Sequence, residues 1–156
     1  MSTTMAIGCK PMDEIGLKKH WKLNGEHYLN HIEARMTVTS ISAITLSVTN
    51  MTRSVDFYRS TIGLNLLYGG TSDSFTSFQI GPGFLNLISN VNTEIRWWGR
   101  VILYVDQVDV LYKDILASGW PLEDQPRNAP WGERYFHVKD PDGHELSFAT
   151  PTLRTE

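Results

Sequence analysis

A chain of 156 residues with 41% hydrophobic and 20% charged content has the make-up of an ordinary globular protein, with room for one sizeable core. Its formal net charge of −3, with no Lys/Arg cluster to offset it, argues against a nucleic-acid surface, and no apolar run approaches the roughly 18 residues of a membrane span. The opening MSTTMAIGCK lacks a charged segment followed by an apolar stretch, so export is not expected and a cytoplasmic setting is the default. Cys9 alone builds neither a disulfide framework nor a thiolate metal site.

In chain order, residues 1–38 read as an N-terminal extension. Gly25 to Met36 carries Tyr28, Leu29 and Ile32 at the spacing of a short amphipathic helix. His27 and His31 lie four apart with Glu33 nearby, a metal-pair spacing; on an appended arm, surface residues are the simpler account.

From residue 39 to 151 the same order of signals runs twice, over about 41–89 and 99–150, with 152–156 as a tail. Ile44 to Val48 alternates apolar and polar, as a half-buried strand does. Asn50 then caps a helix whose stripe is Val55, Tyr58 and Ile62, ended by Gly63. LNLLY, SFTSFQI and FLNLI follow as strands, separated by Gly-Gly and Gly-Pro-Gly turns. The second round opens with Val101 to Val105. Asp106 is expected to cap a helix bearing Val108, Leu111, Tyr112 and Ile115, with Gly119 at its end. Strands are expected around Trp120 to Glu123, at RYFHV and at ELSFA. The result is an α+β fold of two βαβββ modules joined through Ser89 to Trp98.

Two stretches carry a family likeness. SVTNMTRSVDFYRSTIGLNLLY and PWGERYFHVKDPDGHELSFATP resemble the opening and the closing hairpin of the glyoxalase/bleomycin-resistance/extradiol-dioxygenase (vicinal oxygen chelate) superfamily. The resemblance implies a curved mixed sheet whose concave face encloses a ligand. It also implies metal ligands, at positions held here by Ala43, Asn86, Arg100 and Ser147. Methyl, amide, guanidinium and hydroxyl groups are poor ligands for a catalytic divalent ion. The expectation is therefore no metal and no other cofactor, the alternative being a divalent metal bound by relocated ligands.

Alternation assigns the faces. Ile44, Leu46, Val48, Leu85, Leu87, Val101, Leu103, Val105, Phe136, Val138, Leu146 and Phe148 fall together and are all apolar, which identifies the helix-facing side. The other side gains Asn86, Arg100, Tyr104, Tyr135, His137 and Ser147, with Trp98 and Trp131 at its rim. These eight are the candidate ligand-binding residues, and their mixture suits a polar or aromatic small molecule. Arg100 either contacts an anionic group or pairs with Glu133 or Glu145. His137 sits where the dioxygenase branch has a catalytic residue; without a metal, a structural histidine is the simpler reading. The functional expectation is a metal-independent protein that sequesters a small molecule as a homodimer, with Ile95 to Trp98 lending apolar surface. The alternative is a lyase, isomerase or dioxygenase of the same superfamily acting on a small oxygenated substrate.

Overall fold

The computed structural model describes residues 38–152 apart from 93 and 95. The chain divides into a unit of residues 1–38 and a unit of residues 39–156. The expected helix over 25–36, its His27, His31 and Glu33, and Ile95 lie outside the described residues.

The second unit holds the two modules. The first runs β1 (Ala43–Val48), α1 (Met51–Asp56) continued by a π-helical turn (Phe57–Thr61), β2 (Asn65–Tyr68), β3 (Phe75–Ile80) and β4 (Gly83–Ser89). The second runs β5 (Arg100–Tyr104), α2 (Val108–Ala117), β6 (Arg127–Ala129), β7 (Glu133–Lys139) and β8 (Glu145–Pro151). Each module is a four-stranded mixed sheet of the same topology: β1-β4-β3-β2 in sheet A and β5-β8-β7-β6 in sheet B. The first and last strands of each module pair in parallel and the rest antiparallel. The parallel crossover is what the helix between them makes possible.

The local signals account for most of this. The Asn50 side chain accepts from the Arg53 N–H at 3.0 Å, closing the first turn of α1. The stripe of Val55, Tyr58 and Ile62 is buried, and the π turn closes with Ile62 N–H donating to the Phe57 carbonyl at 3.0 Å. Gly69, at φ +77°, turns β2 into β3 where a Cβ would meet the Phe75 carbonyl oxygen at 2.3 Å, so no other residue fits there. All twelve residues assigned to the helix-facing side are in the core or packed against it. Phe57, Tyr58, Phe78, Phe136 and Phe148 are fully buried, each contributing about 1.5–3 kcal/mol through apolar burial.

Two expectations are corrected. Asp106 does not cap α2; the residue before the helix is Gln107, and the Val108 N–H is taken by the Thr150 hydroxyl of β8 at 3.2 Å. Residues 120–123 form no strand. Pro121 has no N–H to give a ladder, and the Trp120 indole instead donates to the Lys139 carbonyl at 3.0 Å. The second strand of this module comes later, as the three residues of β6.

Candidate functional site

Across sheet B, backbone pairing sets the open-face side chains in rows: Arg100–Glu145–Lys139, Ile102–Ser147–His137, and Tyr104–Ala149–Tyr135–Arg127. The central strand β8 supplies the small, buried Ser147 and Ala149. Larger groups stand on either side, Ile102 and Tyr104 on one and Tyr135 and His137 on the other, so the face is a trough.

Most of its charged and phenolic groups are already in contact with one another. Arg100 is salt-bridged to Glu145, whose second oxygen accepts from the Trp97 indole at 2.9 Å. Of the readings open for Arg100, the structure therefore shows the ion pair, and with Glu145. The Tyr104 hydroxyl and the Trp131 indole both donate to Glu133, the latter at 2.7 Å. Those two bonds hold the Glu133 carboxyl below its ordinary range, and the Glu133 contact raises the Tyr104 phenol. Tyr135 stacks on Trp131 with ring centroids 5.8 Å apart. Arg127 lies 5.0 Å over the Tyr135 ring and donates to its hydroxyl at 2.9 Å.

His137 stands 5.1 Å from Tyr135, ring to ring, and its Nδ1 is buried with no hydrogen-bond partner among the described residues. Burial first, and the charge of Arg100 second, lower its pKa from the ordinary 6.5. Between that lowered value and 6.5 the unfolded chain binds the extra proton, so stability falls as pH is lowered through the window. Arg100→Met is expected to carry the His137 pKa part of the way back towards 6.5, burial still holding it down. An NMR titration of the imidazole checks this; an unmoved curve would mean that the Arg100 charge does not reach the ring.

The eight candidates do not share one cavity. Arg100, Tyr104, Tyr135, His137 and Ser147 line the sheet B trough, with Trp131 stacked beside it. Asn86 is on sheet A, where it accepts from Ser77 at 2.8 Å and donates to Thr45 at 3.4 Å. Trp98 lies in the linker, donates to His144 at 2.9 Å, and helps Thr45, Ser47 and Arg96 line a cavity of about 350 Å³. His137 also borders a separate cavity of about 190 Å³, together with Arg53, Trp120 and Lys139.

The Asp140-Pro141-Asp142-Gly143 stretch does more than turn the closing hairpin. Asp140 accepts from the Tyr58 hydroxyl at 2.8 Å and from the turn N–H groups of Asp142 and His144 at 2.9 and 2.8 Å. Asp142 takes the Thr49 N–H at 3.0 Å, the Thr49 hydroxyl, and the Ser54 hydroxyl at 3.1 Å. His144 accepts the Trp98 indole proton at Nδ1, so its own proton is on Nε2 and is donated to the Ser47 carbonyl at 2.8 Å. One hairpin of the second module thus clamps the first at three places. Sequence reasoning missed this because turn carboxylates read as solvated; only the burial of Asp140 and His144, each 4% exposed, reveals their reach. Arg127 was also missed, since its strand was expected earlier in the chain.

The family's metal does not fit these residues. Ala43 has no donor, Asn86 is bonded to Ser77 and Thr45, Arg100 carries a cation's charge and is paired with Glu145, and Ser147 is a hydroxyl. Among the described residues no three His, Cys, Asp or Glu side chains converge as a metal would need.

Residues 40–148 match the model of the glyoxalase/bleomycin resistance protein/dioxygenase superfamily. The chain is 26% identical over 123 residues to the metallothiol transferase FosB of Lysinibacillus sphaericus, an alignment covering 76% of this chain and 87% of that protein. Its fold is similar to that of lactoylglutathione lyase from Agrobacterium tumefaciens (TM-score 0.61, 20% identity, 76% of this chain and 98% of that one). It is also similar to that of TioX from Micromonospora sp. ML1 (TM-score 0.60, 24% identity, 72% of this chain and 99% of that one). With the family model spanning more than half of its length, the chain belongs to the glyoxalase/bleomycin resistance protein/dioxygenase superfamily.

Proposed function

We propose that the protein binds and sequesters a small molecule without a metal, using the open face of sheet B. The observation that carries this is the Arg100–Glu145 ion pair, which stands at a position the superfamily gives to a metal ligand. A guanidinium there repels a divalent cation, while its pairing commits its Nε and one terminal nitrogen to Glu145 rather than to a substrate oxygen. What remains is a trough of Ile102, Tyr104, Tyr135, His137 and Trp131, suited to a flat ligand held by ring contacts and a few polar atoms. A homodimer belongs to this reading, since the Trp97 and Trp98 rings remain 78% and 52% exposed.

The test uses protein purified without a His tag. Excess EDTA should leave the melting temperature unchanged, because a site with no metal has no binding energy to lose. A ligand found by thermal-shift screening should bind one per chain, and at 100 times its Kd should stabilise by about 2.7 kcal/mol. It should be recovered chemically intact, and light scattering should show a dimer. Near-equimolar metal that leaves together with the fold, or turnover of the ligand, would sink the proposal.

A further inference from the structure

The charges of sheet B do not balance locally. Its strands carry four cations, and each is ion-paired: Arg100 with Glu145, Arg127 with Asp124, Arg134 with Asp109 and Lys139 with Glu123. They carry two carboxylates, and among the described residues only Glu145 has a cation. Glu133 is held instead by two neutral donors, the Tyr104 hydroxyl on one oxygen and the Trp131 indole on the other. Those donors fix its position and favour its ionised form, but both are neutral, and among the described residues no cation is ion-paired with it. The same two side chains are the exposed aromatics of this face, Tyr104 at 66% and Trp131 at 58%. An aromatic face carries negative quadrupolar potential and, beside an ionised carboxylate, attracts cations. A few ångströms away the sheet already shows this preference, with Arg127 lying over Tyr135.

We infer that Glu133, Tyr104 and Trp131 form the end of the trough that receives the positive group of an organic cation, a quaternary or protonated amine with an apolar body. The inference rests on the sheet B face being the ligand site and adds the charge of the ligand. It departs from the anionic-ligand reading that was one of two open for Arg100 in the sequence, because Arg100 is ion-paired with Glu145 while, among the described residues, Glu133 is paired with no cation. A strongly hydrated inorganic cation is disfavoured, since among the described residues Glu133 is the one carboxylate at this end of the face and the rings offer no oxygen ligands beyond the Tyr104 hydroxyl.

Choline and its neutral isostere 3,3-dimethylbutan-1-ol separate charge from shape. Each is titrated into the full chain at ionic strength matched with sodium chloride, because an added salt screens the carboxylate. The readout is the indole N–H NMR resonance of Trp131, assigned by its loss in Trp131→Phe. Choline should shift it saturably and the alcohol should not. Glu133→Gln keeps an acceptor for both donors and removes only the charge; it should weaken choline at least about tenfold, while Glu133→Asp retains most of the binding. Equal shifts with the alcohol, no shift with choline, or undiminished binding in Glu133→Gln each overturn the inference. A ligand from the thermal-shift screen that binds while choline is silent would leave the sequestration reading standing and sink this one alone.

Discussion

Asp140→Ala is expected to cost about 3 kcal/mol of folding stability and to lower the melting temperature by roughly 10 °C. The loss is large because Asp140 is the acceptor for three donors at once. Removing it strands the Tyr58 hydroxyl, whose residue is fully buried, and frees the two N–H groups that shape the turn. A buried donor without a partner costs about 1–3 kcal/mol, and the turn groups add less because water can reach them on opening. Part of the loss is offset, since burial raises the Asp140 pKa and the folded protein carries that desolvation cost. The order of the variants tests the account. Tyr58→Phe removes one of the three bonds and should cost about 1–2 kcal/mol, and Asp140→Asn, which keeps an acceptor for the turn, about 1 kcal/mol. Urea midpoints at constant slope decide it. If Asp140→Ala cost no more than Tyr58→Phe, the turn bonds would contribute nothing and Asp140 would be only a partner for one phenol.

The sheets were legible because period-2 alternation is a property of single strands. Ile44, Leu46 and Val48 need no knowledge of the rest of the chain to show which way they face. The same signal put Arg100, Tyr104, Tyr135, His137 and Ser147 on one side of one sheet, and the pairing of β5, β7 and β8 places them there. What alternation cannot encode is how one sheet stands against another. Asn86 lies on sheet A, and the eight candidates therefore divide between the trough, sheet A and the linker. Pairing was half legible: Glu145 and Glu133 were both in reach of Arg100 by pattern, and only register chose Glu145, directly opposite on the parallel neighbour. Helix capping failed at Asp106 for a related reason. A side chain forty-two residues away, Thr150, answers the Val108 N–H, and a local rule sees only local oxygens.

The residue misread as part of a strand, Trp120, supplies the second large effect. Its ring packs on Phe57 of the first module at 4.6 Å between centroids, and its indole N–H holds the Lys139 carbonyl of the second. Trp120→Ala is expected to cost about 2–3 kcal/mol, towards the lower end for a large-to-small change because the side chain is only partly buried. Trp120→Phe keeps most of the packing and gives up the hydrogen bond, so about 1 kcal/mol of that loss should remain. Both anchors of Trp120 are chain neighbours of the Tyr58–Asp140 pair: Phe57 precedes Tyr58 and Lys139 precedes Asp140. Breaking either contact loosens the same junction between the modules, and the second break then has less left to undo. The double variant Asp140→Ala/Trp120→Ala should therefore lose about 1 kcal/mol less than the two single losses together, as contacts sharing a structural unit do. Strict additivity would show that the hairpin turn and the Trp120 segment hold the modules independently, and that the junction is two separate fastenings rather than one.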